Sequence, residues 1–459
     1  MRSLSVVILA AGQGKRMKSA LPKVLHHIAG KSMLTHVIDT ATALSPQIIT
    51  IVYGHAGAAV RAAFAGNNTL TWAKQAPQLG TGHAVLQAMS EAARATDITL
   101  VLYGDVPLVS AVTLKKLVDE AVKTQLAWLT MDVANPEGLG RVVRDANGKI
   151  REIIEDKDAT DTQRQITEIN TGFLACPTAW LARWLPMLGS NNSQGEYYLT
   201  DILKLAVNEG LAVVTPSPQH AWEVAGVNSR DQLATLERAY QMEIAKQLMD
   251  AGVTLRDPAR IDVRGTLNCE HDVVIDVNCI FEGNVTLGRG VSIGANCILR
   301  NCQIGDGSEI LPFTMIDAST IGAHARIGPY ARIRPGSTLS DDVHIGNFVE
   351  VKASDVGGGS KANHLSYIGD TTIGKNVNIG AGTITCNYDG ANKHRTVIGD
   401  NVHIGSDVQL VAPVTVHAGA TVGAGTTVWK DVPADSLILN EKTQISKLGW
   451  QRPKKREKK

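Results

Sequence analysis

The sequence predicts an α/β chain in two parts. An N-terminal domain built on a doubly wound parallel sheet is followed by a linking helix and a C-terminal parallel β-helix. Three observations predict it. Through residue 230, short aliphatic runs alternate with amphipathic stretches. Next, apolar residues fall three and four apart. Beyond residue 260, aliphatic residues recur at every sixth position.

In the first part, Ser5–Ala10, Ile48–Tyr53 and Ile98–Tyr103 read as buried parallel strands. Met33–Ala43, Ala56–Ala65 and His83–Ala95 read as the helices between them. In such sheets ligands bind beyond the carboxyl ends of the strands, and two motif-bearing turns lie there, at Gly12 and at Gly104-Asp105. From Ser229 to Gly252 one helical stripe runs through Leu233, Leu236, Tyr240, Ile244 and Leu248, with Gly252 as its stop. The predicted boundaries are 1–230, a linker at 231–251, and 252–459.

The six-residue period runs in four trains. They are Ile275, Phe281, Leu287, Ile293, Leu299; then Ile304, Ile310, Ile316; then Ile321, Ile327, Ile333, Leu339, Ile345, Val351; then Ile398, Ile404, Leu410, Val416, Val422, Val428. Gly commonly follows the aliphatic residue. This is the hexapeptide signature of a parallel β-helix, with roughly nine coils of three hexads over 261–430. Two interruptions, 352–372 and 386–397, read as extruded loops, where sites are commonly built.

Composition supports this division. The 459 residues include 43 Gly but only 7 Trp, 8 Tyr and 5 Phe, a skew that one repeated small aliphatic position produces. Charge is balanced, 45 Lys+Arg against 44 Asp+Glu, which argues against a nucleic-acid coat. No apolar run is long enough for stable membrane insertion, and the start lacks a signal-peptide pattern, so a cytoplasmic location is expected. The six cysteines form no C-x-x-C pair and read as free thiols. The tail Lys454–Lys459 reads as a solvated basic run.

The turn Leu9-Ala10-Ala11-Gly12-Gln13-Gly14-Lys15-Arg16-Met17 lacks the third Gly of a dinucleotide fingerprint and the Gly-Lys-Ser/Thr of a Walker loop. Its glycines and the cations Lys15, Arg16 and Lys23 still suit phosphate. With Leu21-Pro22-Lys23, Gln75, Gln78-Leu79-Gly80-Thr81-Gly82-His83 and Tyr103-Gly104-Asp105, it resembles the signature of sugar-1-phosphate nucleotidyltransferases. The hexapeptide region carries His364 and Asn387-Tyr388. From about Ser5 to about Trp450 the chain is similar to the bacterial bifunctional N-acetylglucosamine-1-phosphate uridyltransferase/glucosamine-1-phosphate acetyltransferases.

That resemblance implies a Rossmann-like nucleotidyltransferase domain, a left-handed β-helix and a homotrimer. It implies Mg²⁺-dependent uridylyl transfer from UTP to N-acetylglucosamine 1-phosphate, with Asp105 and Asn228 as metal ligands. Arg16 and Lys23 would be catalytic. Leu9, Ala10, Ala11, Gly12, Lys23, Gln75, Gly80, Thr81, Tyr103, Gly104, Asp105, Gly140, Glu155, Asn170 and Asn228 would bind the nucleotide or its sugar. Lys15 stands where relatives commonly carry Thr. The second implied activity is acetyl transfer from acetyl-CoA to glucosamine 1-phosphate, giving precursors for peptidoglycan and lipopolysaccharide. His364 would be its base, with Glu350 either orienting it or pairing with nearby cations. Arg334, Lys352, Tyr367 and Asn378 would hold the sugar phosphate, and Ala381, Asn387, Tyr388, Ser406 and Ala424 acetyl-CoA. Glu441 falls where relatives place an Arg against CoA, with Lys442 or the tail as substitutes. The competing readings are a monofunctional nucleotidyltransferase with a structural β-helix, and a non-enzymatic sugar-nucleotide-binding subunit.

Overall fold

The computed structural model describes residues 2–54, 57–124, 126–441 and 443–453. Ala56, Lys442 and the basic tail lie outside the described residues. The chain divides into two compact units, Met1–Glu243 and Ile244–Lys459.

Among the described residues, the first unit is built on a nine-stranded sheet. Its main path runs Val213–Val214, Leu126–Asp132, Glu168–Pro177, Ile98–Tyr103, Leu4–Ala10, Ile48–Tyr53, Leu70–Lys74. Leu4–Ala10 pairs in parallel with both Ile48–Tyr53 and Ile98–Tyr103; Glu168–Pro177 is antiparallel to its neighbours. The chain builds outward to one side of the first strand and then to the other, so the order reverses beside it. Alternate residues of this strand serve opposite cores. Val6, Ile8 and Ala10 join Leu34, Val37, Leu114 and Leu117 on one face. Val7 and Leu9 join Val85, Leu181 and Ile202 on the other. Burial on both faces explains the unbroken aliphatic run.

Two predicted helices are shorter than expected. Residues 57–63 carry Gly57–Ala63. The stretch predicted as one helix over His83–Ala95 is two, Thr81–Ala88 and Glu91–Arg94. The break has a local cause: the Ser90 hydroxyl accepts from the Ala93 N–H and starts a new helix.

The predicted linking helix spans Arg230–Asp250, and the division between units falls within it. In the first unit Leu236, Leu233 and Tyr240 pack with Met17, Ile28, Met33 and Val227. In the second, Ala245 and Leu248 join the solenoid core. Gly252, at φ 94°, ends it.

The second unit is a parallel β-solenoid. Among the described residues, eleven strands stack on one face, from Thr254–Leu255 to Leu437–Ile438, and seventeen form the rest of the wall. Inward residues stack coil on coil: Ile275, Ile293, Ile310, Ile327, Ile345, Ala362, Ile379, Ile404 and Val422 make one column. Every train residue predicted to point inward is buried. The glycines that follow are there for close approach between coils: a Cβ on Gly380 would lie 2.4 Å from the carbonyl carbon of Gly405. Left-handed corners are shared between other glycines, such as Gly290, Gly307 and Gly336, and Asn or Asp, among them Asn278, Asn296, Asn376 and Asn401.

Only one predicted interruption is an extruded loop. Residues 352–372 continue the solenoid through Asp355–Val356, Lys361–His364 and Tyr367–Gly369, with Val356, Ala362 and Ile368 inward. Five-residue steps and a small Ala at an inward position hide the period there. Residues 387–395 do leave the wall, closed by a bridge between Tyr388 and Lys393 and a turn in which Asp389 accepts from the Ala391 and Asn392 amides.

Candidate active sites

In the first unit the reversal of strand order places Ala11-Gly12 beside Gly104-Asp105, and the Gly104 amide donates to the Leu9 carbonyl at 2.9 Å. A cavity of about 280 Å³ opens there, lined by Leu9, Ala10, Ala11, Gly12, Lys23, Gln75, Gln78, Gly80, Thr81, Tyr103, Asp105 and Glu196. Loops anchor on it. The Val227 amide donates to the Asp105 carbonyl at 2.9 Å, and the Gln232 side chain accepts from the Asn228 amide at 2.7 Å. Asn228 is thereby set near Asp105.

Lys23 lies between these two side chains. Its ammonium donates to Asp105 Oδ2 and, at 3.1 Å, to Asn228 Oδ1. Gly14 makes room for it, since a Cβ there would lie 2.7 Å from the Lys23 Cβ, at a φ of 61°. One carboxylate and one amide oxygen already converge on a cation. That donor set fits a hard divalent ion whose remaining ligands are phosphate and water oxygens.

Tyr103 joins this group to a second. Its phenol is pushed up by burial first and then by the negative charges of Glu155 and Asp105. Gly172, at φ 86°, leaves space for the ring; a Cβ there would lie 2.5 Å from Tyr103 Cε2. Gly140, Glu155 and Asn170 meet beside it: a Cβ on Gly140 would be 3.4 Å from Glu155 Oε2 and 3.4 Å from the Asn170 Cβ. Burial raises the Glu155 carboxyl above its ordinary range, opposed by a bond from the Thr200 hydroxyl. Asn170 Oδ1 accepts from Trp128 Nε1 at 2.7 Å and the Gly172 amide at 2.8 Å, which aims its NH₂ group elsewhere. Arg16 is exposed on the short helical turn Lys15–Met17, outside the cavity lining. Sequence reasoning missed Gln78 and Glu196 as lining residues. Gln78 donates to the Ala11 carbonyl, a contact that only the fold creates.

In the second unit, Arg334 and Lys352 occupy equivalent positions on successive coils. Arg334 Nη1 donates to Glu350 Oε1 at 2.7 Å, so of the two roles expected for Glu350 the structure shows the ion pair. Lys352 Nζ lies 3.6 Å from Asp370 Oδ2. Asn387 Nδ2 donates to Asp370 and, at 3.4 Å, to the Tyr367 hydroxyl. Lys393, on the extruded loop, was not expected. Its ammonium is pushed down first by contact with Lys352, with Arg334 adding to the effect. Three cations thus gather where two were predicted.

His364 sits on a strand end, not on an extruded loop. Its Nδ1 is 2.9 Å from Asn347 Oδ1, the equivalent residue one coil earlier. The amide oxygen only accepts, so Nδ1 donates in this contact and, in the neutral ring, Nε2 carries the lone pair. Asn347 was also missed, because it lies one coil away rather than near in sequence. The column continues through Ala381, Ser406 and Ala424, each two residues beyond an inward aliphatic. Asn378 stacks between Lys361 and His403 in the same stack of strands as His364. Tyr388 is exposed, its hydroxyl donating to the Gly390 carbonyl at 2.6 Å. Glu441 is exposed next to Asn440, which accepts from the Thr427 amide.

Family models match in the same places. A MobA-like NTP transferase domain covers residues 6–171, a GMPPB C-terminal domain 263–357, and bacterial transferase hexapeptide repeats 395–428. The "Bifunctional protein GlmU" of Burkholderia multivorans is 58% identical over 453 residues, 99% of this chain and all of that protein. Those of Cupriavidus pinatubonensis, 58% over 455 residues, and Nitrosospira multiformis, 56% over 459, align equally fully. The chain belongs to the GlmU family. Whole-length matches to bifunctional GlmU proteins support an enzyme with both uridyltransferase and acetyltransferase activity, and they give no support to a nucleotidyltransferase with a passive solenoid.

Proposed function

We propose that the first unit transfers uridylyl from UTP to N-acetylglucosamine 1-phosphate, and that the second acetylates glucosamine 1-phosphate from acetyl-CoA. The observation that carries the reading is the Lys23 ammonium set between Asp105 and Asn228 at a switch-point cavity. In the first reaction a phosphate oxygen of the sugar phosphate attacks the α-phosphorus of UTP. The bond to the β-phosphate breaks and pyrophosphate leaves. Such transfer is mostly positioning and charge neutralisation. Asp105 and Asn228 would hold Mg²⁺, which when bound neutralises charge on the phosphates. Lys23 and Arg16 add positive charge along the triphosphate, and the Gly12 turn lets backbone approach it. Gln75 with the Gly80-Thr81 backbone reads the uracil, while Gly140, Glu155 and Asn170 hold the sugar.

In the second reaction the neutral amine attacks the thioester carbonyl. The C–S bond breaks, and His364 Nε2 takes the amine proton and returns it to the departing sulfur. Arg334, Lys352 and Lys393 neutralise the sugar phosphate, with a planar guanidinium suited to two oxygens at once. Tyr367 and Asn378 contact the sugar. Small side chains at Ala381, Ser406 and Ala424 let pantetheine lie along the wall, with Asn387 and Tyr388 beside it. The protein works in the cytoplasm as a homotrimer, with no nucleic-acid partner and no stable membrane insertion; no helix among the described residues is long and apolar enough to cross a membrane.

Two assays test the reading together: pyrophosphate release from UTP with N-acetylglucosamine 1-phosphate, and CoA thiol release with glucosamine 1-phosphate. Both are expected. Pyrophosphate alone would restore the passive solenoid, and neither would leave a binding subunit.

A further inference from the structure

We propose that His83 is the positioning residue that sets the preference of the nucleotide site for uridine over cytidine. The inference rests on the uridyl-transfer reading and deepens it. His83 is on the first turn of Thr81–Ala88 and lies behind Gln75, outside the cavity lining. Gln75 is 4% exposed. Its Nε2 is 2.9 Å from the Gly80 carbonyl and 3.2 Å from His83 Nδ1.

These two contacts settle which way the amide faces. A carbonyl only accepts, so the amide nitrogen must face Gly80. That carbonyl is held in place, because Tyr197 donates to Leu79 and accepts from Gly82, both at 2.8 Å. The second N–H then points at His83, which requires a lone pair on Nδ1 and a proton on Nε2. His83 Nε2 lies 3.3 Å from Gln87 Nε2, and a proton on the ring nitrogen requires that amide to be turned so that its oxygen accepts. Both N–H groups of Gln75 are therefore used, and among the described residues nothing hydrogen-bonds Oε1. The side chain offers the cavity an acceptor only.

Uracil presents a donor at N3, where cytosine presents a lone pair. An acceptor locked at this position pairs with the first and repels the second. If the amide could turn, it would offer N–H to cytosine N3 as readily. His83 adds to the Gly80 carbonyl in removing that freedom, and does so without touching the base.

The test compares kcat/KM for UTP and CTP in pyrophosphate release, using the full chain. Thiol release at the acetyl-transfer site serves as the folding control. His83→Ala is expected to lower the UTP/CTP ratio about tenfold, the value of one neutral hydrogen bond, with acetyl transfer kept. His83→Asn, which puts an acceptor near the place of Nδ1, is expected to keep the ratio. Gln87→Ala, on the exposed side of the ring, should lower it in the same direction as His83→Ala. An unchanged ratio in His83→Ala, or an equal fall in His83→Asn, would overturn the inference. A wild-type chain with no turnover of UTP would instead overturn the reading beneath it.

Discussion

Lys23→Met keeps the length of the side chain and removes its charge, and its two effects should run in opposite directions. Lys23 is 9% exposed and Asp105 20% exposed. Two unit charges about 3 Å apart attract by roughly 5 kcal/mol at an effective permittivity of about 20. Partial exposure and the cost of desolvation reduce the net value to about 1.5–3 kcal/mol. A divalent ion that takes both oxygens must first displace this ammonium. Without nucleotide, Mn²⁺ should therefore bind Lys23→Met about 10- to 100-fold more tightly than wild type, read by the loss of the free-ion EPR signal on titration. The same substitution should cost about 10²–10³ in kcat for pyrophosphate release, since the charge is missing in the transition state. Tighter metal binding together with slower catalysis is the signature of one cation serving both places. Mn²⁺ affinity that is unchanged or weaker would refute the idea that Lys23 occupies the ligand oxygens.

His364→Ala should abolish thiol release and leave pyrophosphate release within about twofold, and Asp105→Ala should do the reverse; loss of both activities in either variant would sink the two-site account. Asn347→Leu should lower kcat for acetyl transfer about tenfold with little change in KM, because it frees the His364 tautomer rather than a substrate contact. Burial raises the Glu155 carboxyl in the folded state, so its contribution to stability is full below the unfolded value near 4.5 and is lost as pH rises through the folded one. Glu155→Gln should accordingly raise Tm at pH 8 and leave it unchanged at pH 4, measured by scanning calorimetry. Gly380→Ala should destabilise the solenoid by roughly 1–3 kcal/mol in denaturant melts, since the added methyl meets backbone rather than a movable side chain.

The fold was legible wherever one physical requirement repeats. A sheet buried on both faces needs near-continuous aliphatic runs, and Val6–Ala10 and Leu100–Leu102 supply them. A solenoid needs one inward aliphatic per hexad, and the four trains place all of theirs. Legibility failed where a requirement is met by a different residue type. Val356, Ala362 and Ile368 keep the wall going through a stretch that reads as a loop, because the steps into and out of it, Val351 to Val356 and Ile368 to Ile373, are five rather than six. Site residues drawn from one local motif, such as Gly12 and Asp105, could be found by reading along the chain. Partners brought in from elsewhere could not. Asn347 meets His364 across a coil, Lys393 reaches Lys352 from an extruded loop, and Gln78 closes on Ala11 across the sheet. Sequence spacing carries no trace of such pairs until the register of the coils is known.

That register also gives a reason for the proposed acetyl-transfer site to fall at its particular level of the solenoid. The column Asn347, His364, Ala381, Ser406, Ala424 changes from large polar to small at one step. The neighbouring corner changes at the same step: Phe313, Tyr330 and Phe348 stack face to face, with ring centroids 4.9 and 5.4 Å apart, Leu365 follows, and the next coil has Gly382. Bulk on the earlier coils and the small Ala381 and Gly382 on the next one define a track along this column with His364 at its end. A slender apolar chain laid along Ala424, Ser406 and Ala381 would be stopped by the Leu365 corner, with its reactive end beside Nε2. Filling the track is then the direct way to separate binding from chemistry. Ala381→Leu should raise the KM for acetyl-CoA at least tenfold while the His364–Asn347 bond, and with it the pH profile of kcat, stays as it was. A KM unchanged by this bulk would mean that the cofactor does not follow the column.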